Sequence, residues 1–155
     1  MNRTDTMMYL ADRVTIADTV IDFAYSIDTR DWALFLSILA PQVEIVYPDS
    51  VGVGTFAATD LAEIAKSFFS RLDATQHVSA NHRITIDGTT AVCTSTLLAQ
   101  HYLASEVENP VQRQIGYYRN ELEKTDRWRI TRSEQRAGWM EGNMNVFLHA
   151  TGAFE

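Results

Sequence analysis

The sequence predicts one α+β domain: a cone-shaped, curved antiparallel sheet (an α+β barrel) closed by N-terminal helices around a pocket for a small organic molecule. Three observations predict it. The 155 residues suit a single core spanning 1–155, with no internal repeat, low-complexity tract or Pro/Gly-rich linker to divide it. Helical periodicity fills the first part of the chain, and from roughly residue 75 the alternation of long strands takes over. Helices followed by a strand meander point to α+β rather than to alternating βαβ units. The composition, 46% hydrophobic with 7 Phe, 6 Tyr and 3 Trp, supplies the apolar material for a packed core.

The first helix is read from about Tyr9 to Ile27, where Ala17, Val20, Ile21 and Ala24 share a stripe flanked by Val14 and Phe23. Asp31 then N-caps a short helix over Trp32–Leu39, stopped before Pro41. Val43 to Tyr47 is a strand ended by Pro48, and Val51–Phe56, with its two glycines, is a loop or short hairpin. Thr59 or Asp60 caps a third helix through Leu61, Ile64, Ala65, Phe68 and Phe69. His77–Ile86 alternates and ends at Asp87-Gly88, a hairpin signal. Thr90–Leu103, Val111–Glu123 and Arg127–Gly138 follow as strands, and the tail with Val146, Phe147 and Leu148 is a short helix over either the barrel mouth or a partner surface.

Charge and composition exclude several functions. At a net charge of −7, with Arg127, Arg129 and Arg132 interrupted by acidic neighbours, the chain lacks the basic face that nucleic acid requires. The single cysteine, Cys93, cannot form an internal disulfide and reads as a small buried hydrophobe. No apolar run of roughly 18 or more residues and no signal pattern occur, so the expectation is a cytoplasmic protein without membrane contact. Zinc spacing, HExxH, a phosphate loop and GxSxG are all missing. A metal-free, cofactor-free acid–base site is what remains.

Asp28 stands out. At about 100° per residue it falls nearly in line with Ala17, Ile21 and Ala24 on the apolar stripe. It also ends the helix, where the macrodipole disfavours an anion by roughly a few tenths of a kcal/mol or more. A buried carboxylate there needs a cation or an imidazole N–H; otherwise Asp28 lies just past the helix, solvated or bonded locally to Arg30 or Trp32. His101 shares its strand face with Cys93, Ser95, Leu97, Ala99 and Leu103, so it is either a satisfied core histidine or a cavity wall. His77 shares a face with Ser79, Asn81 and Arg83, which fits a site or plain solvent exposure. An Asp28–His77 contact would fix the imidazole tautomer and aim the other nitrogen into the pocket. Tyr47 closes the in-facing row Val43, Ile45, Tyr47, as a cavity hydroxyl or a rim residue; Gln112, Gln114 and Tyr118 share one face, oddly polar if that face is inward.

Several of these residues occur together in a known family. Ala24-Tyr25-Ser26-Ile27-Asp28-Thr29-Arg30-Asp31-Trp32, Ile45-Val46-Tyr47, Thr75-Gln76-His77, His101-Tyr102 and Asp126-Arg127-Trp128-Arg129-Ile130 resemble, in order and spacing, the scytalone dehydratase-like, SnoaL-like branch of the nuclear transport factor 2-like superfamily. That branch also holds dehydrochlorinases, cyclases, isomerases and the small subunit of ring-hydroxylating dioxygenases, so its fold is more specific than its chemistry. The resemblance implies that Asp28 orients His77 as general base, that His101 lies near the leaving group, and that Tyr47 polarises the substrate oxygen directly or through water. Gln112 and Gln114 replace a serine and an asparagine that contact substrate, Ile27 replaces a substrate-binding tyrosine, and Tyr25 and Tyr118 complete the substrate-binding set. The implied activity is a dehydratase-like lyase expelling water or a similar group from a small hydrophobic, cyclic, aromatic or polyketide-like substrate in a pocket lined by Trp, Phe and Met. The alternatives are an isomerase or cyclase using the same base, and a non-catalytic dioxygenase small subunit. A homo-oligomer, dimer or trimer, is expected.

Overall fold

The computed structural model describes residues 3–48 and 51–152. Helix α1 (Arg3–Thr29) begins earlier than its periodicity predicts and carries Asp28 within its last turn. Its buried stripe is Ile16, Thr19, Val20, Phe23, Ala24, Ser26 and Ile27, whereas Val14 and Ile21 are exposed. The stripe is thus rotated from the one read in the sequence, and Asp28 lies on its flank, half-buried. Asp12 ties the middle of α1 to the sheet by accepting from Lys124 Nζ at 2.6 Å and Trp128 Nε1 at 2.9 Å.

Helix α2 (Trp32–Ser37) is capped as expected, Asp31 accepting from the Leu34 N–H. Strand β1 (Leu39–Tyr47) starts before Pro41 rather than after it. The proline is tolerated because the β1 register with its neighbour breaks between Leu39 and Glu44, where no ladder donor is required. Strand β2 (Gly52–Ala57) completes a hairpin and runs straight into helix α3 (Ala58–Phe69). Ala57 is the N-cap, without a side-chain bond, so Thr59 and Asp60 do not cap α3 but lie in its first turn.

Strands β3 (Ala74–Asp87), β4 (Thr90–Tyr102), β5 (Val111–Lys124) and β6 (Trp128–Gly142) form the expected antiparallel meander. A bulge between Ala80 and Arg83, with Asn81 at φ 56°, reverses the alternation of β3. Asn81 and Arg83 therefore face out, and His82, Ile84 and Ile86 turn inward. A second irregularity lies at Gly116, where a Cβ would stand 2.0 Å from the Arg136 carbonyl oxygen, so only glycine permits the two strands to approach.

Among the described residues six strands form one curved sheet in the order β2-β1-β6-β5-β4-β3, with β1 and β6 parallel and every other pair antiparallel. Its edges, β2 and β3, do not join, so the cone is an open sheet and not a barrel. The main core, including Ile16, Val20, Phe23, Phe35, Val43, Ile45, Leu97, Leu122, Trp128 and Ile130, fills its concave side. Helix α4 (Met144–Thr151) packs Val146 and Ala150 with Leu72, Leu103, Phe68 and Phe69, at one border of the cavity. Among the described residues no helix is long and apolar enough to cross a membrane.

Candidate active site

The end of α1 builds one wall of the site. The Arg30 N–H bonds the Ile27 carbonyl and the Asp31 N–H bonds the Ser26 carbonyl, the paired pattern of a Schellman motif. That motif wants glycine at its left-handed position, yet Arg30 occupies it with φ 60°. The guanidinium offsets the strain by donating to the carbonyls of Ile27 (2.6 Å) and Phe69 (2.9 Å) and to Thr75 Oγ1 (2.9 Å). It thereby puts a cation where the helix dipole and Asp28 both call for one.

Asp28 is the hub of this wall. One carboxylate oxygen accepts from His77 Nδ1 at 2.7 Å and from Thr75 Oγ1 at 3.0 Å; the other accepts from the His77 backbone N–H at 2.7 Å. A carboxylate can only accept, so Nδ1 carries a proton, and in the neutral ring the Nε2 lone pair of His77 is left for the cavity. Three donors from β3 also explain how an anion is held at the wrong end of a helix. The sequence placed Asp28 and His77 as candidates; the structure brings them into contact.

His77 and His101 line a cavity of about 370 Å³ together with Tyr47, Gln114, Tyr118 and Gln135. Phe23, Ile27, Phe35, Phe68, Phe69 and Phe147 supply much of its apolar wall. Among the described residues neither tryptophan nor methionine contributes to the lining: Trp128 is in the core and Trp139 is exposed. The two imidazoles meet edge to face at 5.7 Å between centroids, with Phe69 stacked on His101. On the opposite side Tyr47 Oη and Ser133 Oγ are 2.6 Å apart. Gln135 Nε2 donates to Gln114 Oε1 at 3.2 Å and to Tyr118 Oη at 3.4 Å. Burial raises both tyrosines, so they are neutral hydroxyls at pH 7. Gln114 Nε2 is buried without a partner, an amide donor that a ligand acceptor would satisfy.

Two expected substrate contacts are corrected. Tyr25 is 58% exposed and outside the cavity, because it lies two residues from both Phe23 and Ile27 and so about 200° around the helix from each. Gln112 is fully buried, and its Oε1 lies 2.7 Å from His101 Nδ1 rather than in the cavity. Ser133 and Gln135 were not singled out in the sequence, and Arg30 and Thr75 figured there only as a local partner of Asp28 and as part of a motif. Alternation from His77 would have found Thr75; the others depend on backbone geometry and register. Among the described residues no group of His, Cys, Asp and Glu is placed to hold a metal ion.

Burial, and next the neighbouring His77, push the His101 imidazole down from 6.5 to about 4, so it is neutral at pH 7. The unfolded chain takes up this proton near 6.5 and the folded chain does not until about 4, so stability falls as pH drops through that window. The full effect is on the order of 3 kcal/mol. His82, also lowered by burial, contributes with the same sign. Replacing His101 by phenylalanine, which suits the surrounding rings, is therefore expected to flatten the acid side of the stability curve without abolishing its slope. Urea titrations of parent and variant from neutral pH to about pH 4 measure the difference; identical slopes would contradict a neutral, buried His101.

The sequence profile of the SnoaL-like domain matches residues 8–134. No curated protein matches the chain in sequence. Among solved structures, Kfla4162 from Kribbella flavida superposes with a TM-score of 0.84 at 23% identity, over 90% of this chain and 98% of that one. A protein from Novosphingobium aromaticivorans, provisionally assigned as a scytalone dehydratase, gives 0.78 at 21% identity over 89% and 91% of the two chains. The hexachlorocyclohexane dehydrochlorinase LinA-type3 from Novosphingobium barchaimii gives 0.74 at 20% identity over 91% and 96%. At these identities the likeness is one of fold.

Proposed function

The chain belongs to the SnoaL-like domain family, and we propose that it is a dehydratase-like lyase acting on a small cyclic or aromatic substrate. The observation that carries this reading is the Asp28–His77 pair, 2.7 Å apart, with His77 on the wall of a partly open, largely apolar cavity. The names of two neighbours in fold, a provisional scytalone dehydratase and a dehydrochlorinase, favour elimination over other uses of the same base.

The reaction runs as follows. His77 Nε2 removes a proton α to a carbonyl, and the electron pair moves onto the carbonyl oxygen as an enolate. Gln114 Nε2 and the neutral hydroxyls of Tyr47 and Tyr118 supply donors to that oxygen in a largely apolar cavity. The enolate then re-forms the carbonyl, creates the C=C bond and expels the β-hydroxyl. The imidazolium at His77 returns its proton to the departing oxygen, which leaves as water. This assigns proton return to His77 and not to His101, which is neutral with its own proton committed to Gln112. Proton transfer by a positioned imidazole contributes about 10²–10⁴ in rate, which suits a substrate already acidified by a carbonyl.

A panel of cyclic β-hydroxy ketones, followed by mass spectrometry, tests the reading. Loss of one water by at least one member is expected. Products of unchanged mass would assign an isomerase or cyclase instead.

A further inference from the structure

We propose that this site selects substrates carrying a hydroxyl donor separate from the acidified C–H, read by the bare Nε2 of His101, with Gln112 as the residue that fixes this polarity. The inference rests on the cavity being the substrate site, as in the lyase reading, but not on the reaction performed there.

The polarity follows from a chain of hydrogen bonds with only one consistent direction. The Arg113 carbonyl can only accept, so the Gln112 side chain must turn its amide nitrogen toward it, at 3.0 Å. Gln112 Oε1 is then the atom that faces His101 Nδ1 at 2.7 Å. An oxygen acceptor at that distance requires Nδ1 to hold the proton. The imidazole is neutral at pH 7, so the proton is on Nδ1 alone and Nε2 carries a lone pair. Register enforces the arrangement, since His101 and Gln112 stand directly opposite on β4 and β5. Gln112 is 0% exposed, so water does not compete for its amide.

That lone pair has no partner among the described residues and lies in a cage of rings. Phe68, Phe69 and Phe147 all have centroids within 6.2 Å of the His101 ring. A site built to accept a hydrogen bond in such surroundings rejects a ligand that cannot donate one, because the acceptor is then buried unsatisfied. His77 presents a lone pair of the same kind, but there it serves to take the C–H proton. The two imidazoles therefore divide the substrate: one meets a carbon acid and the other a hydroxyl. A halogenated ring offers no donor to His101, which sets this cavity apart from one suited to dehydrochlorination.

The test uses the full chain and two probes of similar size, 2-naphthol and 2-chloronaphthalene, with dissociation constants measured at neutral pH. The naphthol is expected to bind at least about tenfold more tightly. Replacing Gln112 by leucine frees the His101 tautomer and should collapse the ratio toward that set by hydrophobicity alone. Equal binding by the parent, or a ratio that survives Gln112→Leu, overturns the proposal, the latter by assigning the hydroxyl to His77. Long-range ¹H–¹⁵N correlation on the unsubstituted protein checks the tautomer directly, whether or not the variant folds. A protonated Nε2 on His101 overturns the proposal; a protonated Nδ1 sustains it. A protein that discriminates the probes but eliminates no water keeps this inference and loses the lyase reading. The reverse result does the opposite.

Discussion

Replacing His77 by alanine is expected to lower kcat by about two to four orders of magnitude while the fold persists, the rate contribution of a positioned general base. Activity falls because, among the described residues of the cavity wall, the tyrosines are neutral hydroxyls and His101 lacks the carboxylate partner that orients His77. The fold persists because Asp28 keeps two of its donors, the backbone N–H of residue 77 at 2.7 Å and Thr75 Oγ1 at 3.0 Å, neither of which depends on the imidazole. The vacated volume opens into an existing cavity rather than a sealed void, which limits the packing loss. Steady-state kinetics on whichever hydroxy ketone the parent turns over, alongside thermal denaturation, measures both effects. Retention of parental kcat by a folded His77→Ala protein would end the case for this base.

The need of Asp28 for a donor was legible in the residues themselves, whereas the choice of His77 as that donor came from the family resemblance. An acid in line with an apolar stripe at the negative end of a helix needs donors, but the residues alone left Arg30, Trp32 and solvent open beside a histidine. The meander was legible in the residues, since long alternating runs separated by Asp-Gly and polar turns leave little freedom. What failed to show depends on pairing between distant segments. The parallel β1–β6 ladder, the open edges and the place of Pro41 in a register break are decided by neighbours, not by propensity. Asn81 inserts an extra residue that turns His82 inward and Arg83 outward, against simple alternation. Gln112 shows the limit most clearly. Alternation along β5 left open whether its side faces inward, and its role depends on the residue across the ladder, which is His101. The left-handed Arg30 carries no local signal, because glycine or asparagine would have been the expected occupant.

Asp28→Asn is expected to cost nearly as much activity as loss of the base, with little change in stability, and the reason is geometric. The carboxylate receives three donors: the His77 backbone N–H on one oxygen, His77 Nδ1 and Thr75 Oγ1 on the other. An asparagine has one acceptor oxygen and one NH₂ group. The backbone N–H cannot reverse, so it claims the oxygen and the NH₂ turns toward the imidazole. His77 must then accept at Nδ1, which moves its proton to Nε2 and removes the lone pair from the cavity. Thr75 accommodates the change by rotating its hydroxyl. A tautomer error of this kind in the Asp–His pair of a serine protease costs about 10⁴ in kcat, and a loss of about 10²–10⁴ is expected here. Since Asp28 acts through His77 and does not touch substrate, KM should move little, which separates it from a residue of the cavity wall. The decisive readout is the ¹H–¹⁵N correlation of the His77 ring, with Nδ1 protonated in the parent and Nε2 protonated in the variant. A variant whose His77 keeps the parental tautomer and yet loses activity would show that the carboxylate acts by its charge and not by orienting the base. Stability near that of the parent is expected because removing an anion from the C-terminal turn of α1 offsets the weaker hydrogen bonds.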